Sequence, residues 1–445
     1  MSLPEDLSGL PTSLPPHLIE GWNRLIRGIL SHAASTGPDL NAVLAAAPDF
    51  ALGQAIRGVS CVLLGRAEMM AVAREAHQAA LAANPGTARE QAFVLALGDW
   101  LNGYPSRAAG RIQAVMQAHP QDALAMKMVQ AIHFVMGRPD LMRQSVEGVL
   151  GQWTNHPARG YLMGCHAFTL EETGDYAAAE RIGRAGVDLA SDDAWGLHAV
   201  AHVYDMTARA ADGLAWLDGR EASWTHCNNF RFHVWWHRAL MHLDLQNYDA
   251  ALAIYDADIR AEKTDDYRDI ANAASLLSRL EMEGVNVGTR WDELADLSEN
   301  RATDGCLAFA DLHYLLALCG GDRDAAAARL IGRMSRTQHN SGEAARIIAK
   351  PGLHLAQGLQ AFASGEYSAA WLHLREARPD FQLIGGSHAQ RDVFARITIE
   401  AALRGGYTDT ARRLLQQRTS LRGNCEDGYT ARRMALIDAA HAQAV

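Results

Sequence analysis

The sequence predicts an all-α protein that is built from repeated helical hairpins. Ala, Leu and Arg are abundant and long runs of Val, Ile and Thr are rare, so the composition favours helices over strands. With 445 residues, the chain is long enough for several compact domains or for one elongated array in which each unit packs on its neighbours. A repeat along the chain favours the array.

Three tyrosines mark this repeat, and each of them opens a helix after a polar turn. Tyr104, Tyr176 and Tyr248 follow one another at intervals of 72 residues, and further turns near Pro139 and Ala210 lie between them. The resulting period of about 36 residues is close to the ~34 residues of a tetratricopeptide unit. This spacing predicts a tetratricopeptide-like solenoid of antiparallel helix hairpins, in which the tyrosines pack between helices.

The order of the elements follows from this pattern. Residues 1–16 are expected to form an extended arm, and residues from 17 onward a single solenoid that ends at 445. Its clearest repeats run over residues 91–260. No connection is rich enough in Gly, Ser or charge to separate independent domains. A solenoid of this length can also curl around a central pocket.

Composition and motifs exclude several classes of function. The formal net charge of -10 leaves no basic face for nucleic acid. The six cysteines form no C-x-x-C pair, which is typical of neither a disulfide framework nor a thiolate zinc site. The phosphate-binding glycine motifs of nucleotide cofactors do not occur. Without a signal-peptide pattern or a run of ~18 apolar residues, we expect a cytoplasmic protein with no membrane partner.

Two matched histidine pairs are the strongest chemical signal. "HAVAHVYD" contains His198 and His202, and "FRFHVWWHRALMHLDL" contains His233 and His237. Helix residues four apart share a face, and the two helices lie about one repeat apart, so we expect them to pack together. Four imidazoles and the carboxylate of Asp205 would then converge.

The chemistry of this cluster has three interpretations. Imidazole pairs at this spacing are good ligands for zinc, nickel, copper or iron, so a divalent transition metal is the first. The glutamate of the H-E-x-x-H metalloprotease helix is missing, so a general base would have to come from elsewhere. The second interpretation is a metal-free polar pocket for a small molecule. The third is structural hydrogen bonding between helices.

Several blocks of sequence resemble the tetratricopeptide repeat protein 38 family, an α-solenoid family of bacteria and animals. "HAVAHVYDM", "HVWWHRALMHL", "YDAALAIYD", "AASLLSRLEMEGVNVGTRW", "FADLHYLLAL" and "IGGSHAQRDVF" occur in the order of the family. The resemblance implies a tetratricopeptide-like fold of largely undefined biochemical role. It also implies a set of polar positions, here His198, His202, His233, Trp236, His237, Asp311, His313, Gln390, Arg391 and Asp392. The family tends to have other residues at Asp205, Val234 and His388, so their contacts are expected to differ here.

Near the C-terminal end of these blocks, Ser387 and Gln390 fit a capping box at a helix start. Such a start also offers free N–H groups to an anion, and Arg391 is expected to clamp a carboxylate or phosphate there. Arg391 and Asp392 are adjacent on a helix and cannot pair with each other, so each needs a substrate or an inter-repeat ion pair as partner.

Asp311 and His313 point about 200° apart on their helix, so only one of them is expected to reach the site.

The first functional hypothesis is an inner pocket that binds a small anionic molecule and supports a hydrolase or lyase reaction. Its predicted catalytic groups are His202, His233, His237 and Asp205. Its predicted ligand contacts are His198, Trp236, His313, Arg391, Asp392 and Asp311. Its predicted metal ligands are His198, His202, His233 and His237.

The second hypothesis belongs to a different class. A tetratricopeptide scaffold would bind a peptide or protein partner without catalysis, through asparagine, lysine and arginine side chains on its inner helices. The inner helices of this chain carry histidine and tryptophan instead, which favours a closed pocket. Association into a homo-oligomer is left open by the sequence.

Overall fold

The computed structural model describes residues 3–337 and 339–444, which are helical apart from turns, an N-terminal arm and isolated bridges. The first third of the chain forms α1 (Ile19–Ser31), α2 (Thr36–Ala46), α3 (Ala51–Leu63), α4 (Ala67–Ala82), α5 (Ala88–Leu101), α6 (Pro105–Ala118), α7 (Ala123–Val135) and α8 (Pro139–Glu147). The middle forms α9 (Arg159–Glu172), α10 (Tyr176–Leu189), α11 (Ala194–Met206), α12 (Ala210–Leu217), α13 (Ala222–Thr225), α14 (Phe230–Asp244), α15 (Tyr248–Ile254) and α16 (Tyr267–Met282). The last third forms α17 (Arg290–Arg301), α18 (Ala308–Gly320), α19 (Asp324–Thr337), α20 (Glu343–Ile347), α21 (Leu353–Ala363), α22 (Tyr367–Ala377), α23 (His388–Arg404), α24 (Thr408–Leu421) and α25 (Gly428–Ala444).

Consecutive helices pack as hairpins, which confirms the predicted all-α helical-repeat solenoid. The pairs α3 with α4, α5 with α6, α9 with α10 and α21 with α22 are in extensive contact. Several inner helices also contact the next inner helix along the chain, for example α9 with α11 and α14 with α16. Within the described ranges, no helix is long and apolar enough to span a bilayer.

The turns in front of the repeat tyrosines share one hydrogen-bond pattern. After α9, Gly174 adopts φ +86° and donates its N–H to the carbonyl of Glu171, while Asp175 donates to the carbonyl of Leu170. The turns after α5 and α14 repeat both bonds, with Gly103 and Gln246 at the left-handed position. This arrangement satisfies the last carbonyls of each helix and reverses the chain. The polar turns predicted from the tyrosine spacing therefore have a common geometry.

The solenoid curls until its two halves touch. Gly137, at φ +64°, lies so close to the main chain of Gln382 that a Cβ there would be 1.8 Å from the carbonyl oxygen. Four further contacts also join residues more than 200 positions apart in sequence: Glu68–Arg301, Ser106–Glu343, Glu172–His388 and Tyr176–Leu421. A large apolar cluster fills each half, one within residues 14–165 and one within residues 236–401. A central cavity lies between inner helices of both halves.

The N-terminal arm is held against the first helices. Asp6 accepts a hydrogen bond from Arg89 at 2.6 Å, and the same guanidinium pairs with Asp122. Glu90 accepts hydrogen bonds from Thr12 and Ser13. The arm thus lies along α5 and the start of α7.

Candidate functional site

The helices α11 and α14 bring the two histidine pairs together. One ring nitrogen from each of His198, His202, His233 and His237 lies within 4.8 Å of the other three. The rings of His202 and His237 are 4.3 Å apart between centroids, and His237 Nε2 is 3.1 Å from His233 Nε2. The predicted convergence of four imidazoles is confirmed, and we call them the histidine cluster.

Hydrogen bonds fix the orientation of two of these rings. His198 Nδ1 lies 2.5 Å from the carbonyl oxygen of Trp195, and His233 Nδ1 lies 2.9 Å from Asn272 Oδ1. Because both oxygens are acceptors here, each Nδ1 is a donor and each Nε2 carries the lone pair, which in His233 faces His237 Nε2. Trp236 stacks on His233 with a centroid distance of 5.2 Å and supports the ring from behind.

His202 has a carboxylate neighbour that is also fully buried. Its Nδ1 lies 3.4 Å from Glu171 Oε2. Burial raises the pKa of Glu171. Burial alone would lower the pKa of His202, but the negative charge of Glu171 outweighs that effect and raises it. Neither the oxygens of Glu171 nor the ring nitrogens of His202 have a hydrogen-bond partner within the described chain.

The other three imidazoles are held in the neutral form. Burial lowers the pKa of His233 to about 3. Burial also lowers the pKa of His198 and of His237, and the charge of His202 lowers both further. His237 Nδ1 and Trp236 Nε1 are buried without a hydrogen-bond partner among the described residues. Buried polar atoms without partners are costly, so this cluster is incomplete as a purely structural network.

A cavity of about 210 Å³ opens directly beside the cluster, and His198 and His233 form part of its wall. No carboxylate of the described residues lines it. Its cationic residues are Lys127 and Arg268, and its amides come from Gln130, Asn228, Asn229 and Gln390. Its aromatic walls are His32, Phe134, Trp195, Phe230, Tyr267 and Phe309. An inner pocket is therefore present beside the histidine cluster, and it is partly open to solvent.

Arg391 corrects one expectation about this pocket. Its guanidinium lies 3.1 Å from Glu172 Oε2 and donates to the carbonyls of Gly385 and Gly386, and it does not line the cavity. The predicted clamp on a ligand is therefore replaced by the inter-repeat ion pair, because Glu172 on α9 offers a buried counter-charge. The capping box of Ser387 and Gln390 is present as predicted.

The remaining predicted residues lie outside the cavity wall. Asp392 pairs with Arg396 and Arg418, both at 2.7 Å, and Asp205 lies 3.2 Å from Arg422. These carboxylates face the arginines of the C-terminal helices. Asp205 was expected to converge with the four imidazoles, but it lies outside the histidine cluster.

The pair on α18 also differs from its expectation. Asp311 accepts a hydrogen bond from Arg333 at 2.6 Å, and His313 Nδ1 donates to the carbonyl of Phe309 at 2.8 Å. Neither residue lines the cavity, whereas one of them was expected to reach the site. Both side chains are thus held inside the helical packing, although Asp311 Oδ2 is buried without a hydrogen-bond partner among the described residues.

Sequence reasoning missed Glu171, Asn272, Lys127 and Arg268. Glu171 and Lys127 each interrupt an apolar stretch, "AFTLEE" in α9 and "ALAMKMVQAI" in α7. A charged residue inside an apolar helix was the available signal. Which helix faces lie together could not be deduced from that signal.

Comparison with profiles of known protein families finds no match. Among solved structures, the chain is similar to the crystal structure of yeast Tom70, with 12% sequence identity and a TM-score of 0.35. The alignment covers 95% of this chain and 88% of that chain. So distant a likeness carries no information about function.

Proposed function

We propose that this helical-repeat protein is an enzyme that binds a divalent transition metal at the histidine cluster. The metal would act on a small molecule held in the adjacent cavity, in a hydrolytic or lyase reaction. The observation that carries the proposal is the convergence of four ring nitrogens within 4.8 Å of one another.

The surroundings of the rings support metal ligation. A metal-bound histidine commonly donates its other ring N–H to a carbonyl, an amide oxygen or a carboxylate. Trp195 O and Asn272 Oδ1 are such acceptors for His198 and His233, and Glu171 lies beside His202. Metal ligation also needs neutral rings, and burial favours that form in His198, His233 and His237. His202 would have to give up the proton that Glu171 favours when it binds a metal.

The position of the cavity supports a catalytic rather than a structural ion. A catalytic metal keeps one coordination position open for water or substrate. His198 and His233 line the cavity, so an ion held by the histidine cluster would lie next to the space for a substrate. A metal at this place would make its bound water more acidic and polarise a substrate oxygen.

A peptide-binding scaffold, the other hypothesis, requires an open inner groove. The inner helices of both halves instead line a partly open cavity of about 210 Å³, whose size suits a small molecule. Capture of one peptide in stoichiometric amount, with no effect of histidine substitutions, would favour the scaffold.

The metal proposal is tested by the metal content of the protein purified without a histidine tag. We expect about one transition-metal ion per chain in the wild type, and loss of that ion in His233→Ala and His237→Ala, because each substitution removes a ligand. Elemental analysis by mass spectrometry measures both.

His242→Ala is the matched control, because His242 lies on the same helix outside the cluster. It should keep the metal, and circular dichroism should show that all variants are folded. A wild type that neither contains nor takes up zinc, nickel, copper or iron would refute the proposal.

We also propose that the chain is a member of the tetratricopeptide repeat protein 38 family. The sequence blocks named above support this, since those with the histidine pairs form α11 and α14.

A further inference from the structure

Two cations face the central cavity without an anion beside them in its wall. Lys127 comes from α7, and Arg268 comes from the first turn of α16. They belong to different halves of the solenoid, and both line the cavity that His198 and His233 also line.

Lys127 is buried and lacks a direct counter-ion. Lys127 is only 7% exposed, and no carboxylate of the described residues lies within 4.0 Å of its Nζ. Its contact is the ring face of Trp195, with Nζ 5.0 Å from the centroid. A buried ammonium needs pairing or hydrogen bonds to offset the loss of water. The cavity has room for such a partner of the ammonium group.

Asp193 is the acidic residue whose charge interacts with Lys127, and it compensates that charge only in part. Burial raises the pKa of Asp193 to about 7, so the carboxyl is partly protonated near neutral pH. It is not part of the cavity wall. The positive charge of Lys127 therefore remains available to a molecule in the cavity.

Arg268 has one free edge of its guanidinium. Asp266 accepts hydrogen bonds from Nε at 2.8 Å and from Nη2 at 2.6 Å, and Nη1 has no hydrogen-bond partner within the described chain. The side chain is 41% exposed, and it lines the cavity. Asp266 thus holds the guanidinium in place and leaves Nη1 for a ligand.

The rest of the wall favours an apolar body on the ligand. Phe134, Phe230 and Phe309 supply aromatic faces, and Leu63 and Leu307 supply aliphatic ones. Most of the wall amides are already engaged, as Asn229 donates to Asp269 and Gln390 closes the capping box. An inorganic anion would leave this apolar wall in contact with water.

We propose that the cavity binds a small organic carboxylate with an apolar or aromatic body, and that Lys127 and Arg268 hold its carboxylate. This inference deepens the proposed function by naming the substrate class, and it rests on that function only for the role of the metal.

Isothermal titration with benzoate tests the inference, with benzamide as the neutral analogue and inorganic phosphate as the anion without an apolar body. Benzoate should bind the wild type, whereas benzamide and phosphate should bind at least about tenfold more weakly. Benzamide lacks the negative charge, and phosphate lacks the apolar body. Lys127→Met should weaken benzoate binding by a similar factor.

Lys263→Met is the matched control, because Lys263 lies exposed in the loop before α16. It should bind benzoate like the wild type. Equal affinities for benzoate and benzamide, equal affinities for benzoate and phosphate, or wild-type affinity in Lys127→Met would overturn the inference. So would a wild type that binds none of the three probes.

Titration of metal-free protein separates this inference from the metal proposal. Benzoate binding through the cations should persist in wild type treated with a chelator and in His237→Ala. If the protein never binds metal but still prefers benzoate over benzamide, the metal proposal fails and the anion site stands. If it binds metal but not benzoate, the anion site fails and the metal proposal stands.

Discussion

Two neighbouring glutamates show how single side chains acquire different tasks in this protein. Glu172 lies 3.1 Å from Arg391 and accepts the N–H of His388, so it joins α9 to α23. Burial would raise the pKa of Glu172, but the charges of His388 and Arg391 lower it. Glu171 has no such partners and lies beside His202. One residue therefore stabilises the fold, while the other is left to act on the histidine cluster.

Buried neutral histidines outside the cluster make stability depend on pH. Burial lowers the pKa of His313 to about 4 and that of His133 to about 4. Below pH 6.5 the unfolded chain takes up protons that the folded chain does not, so stability is lost as the pH falls from 6.5 towards 4. Each such group contributes up to about 1.4 kcal/mol per pH unit in that window.

Denaturant unfolding of metal-free protein at pH 7 and at pH 5 checks this. The loss of unfolding free energy between the two should be smaller in His313→Asn than in the wild type. His17→Asn changes an exposed histidine before α1 and should leave the loss unchanged. An identical pH dependence in His313→Asn and the wild type would show that His313 does not titrate as described.

Pairs of helices position the site, and α9 and α11 approach each other closely at two glycines. A Cβ on Gly164 would lie 2.0 Å from Asp193 Oδ2 and 2.9 Å from Gly196 Cα. The two glycines let the helices approach, which places Glu171 beside His202. Helical periodicity predicted which histidines share a face, because that depends on spacing along one helix. It could not predict Glu171 as a partner, because that depends on how two helices cross.

Gly164→Ala should therefore destabilise the protein by about 1–3 kcal/mol, since the added methyl overpacks a buried crossing. Gly110→Ala is the control on α6, where a Cβ would meet no atom within 4 Å. That change should stabilise the protein slightly, because alanine favours the helix more than glycine does. Chemical denaturation measures both, and equal effects would argue against the close approach of α9 and α11.

Both halves of the chain build the cavity, because its wall includes residues from His32 to Gln390. The helical repeat and the meeting of four histidines were predicted from local spacing, since repeats pack on their neighbours. Curling brings together residues such as Gly137 and Gln382, which are 245 positions apart. Local spacing carries no information about such pairs, so Lys127 and Arg268 were missed. For the same reason Arg391 was assigned to the ligand rather than to Glu172.

X-ray absorption spectroscopy of the untagged protein, loaded with one equivalent of zinc, tests the central claim most directly. We expect a nitrogen and oxygen first shell with outer-shell scattering from at least three imidazole rings, and loss of that scattering in a His233→Ala/His237→Ala double variant. A spectrum without imidazole scattering, or one that the double variant leaves unchanged, would contradict a metal site at the histidine cluster.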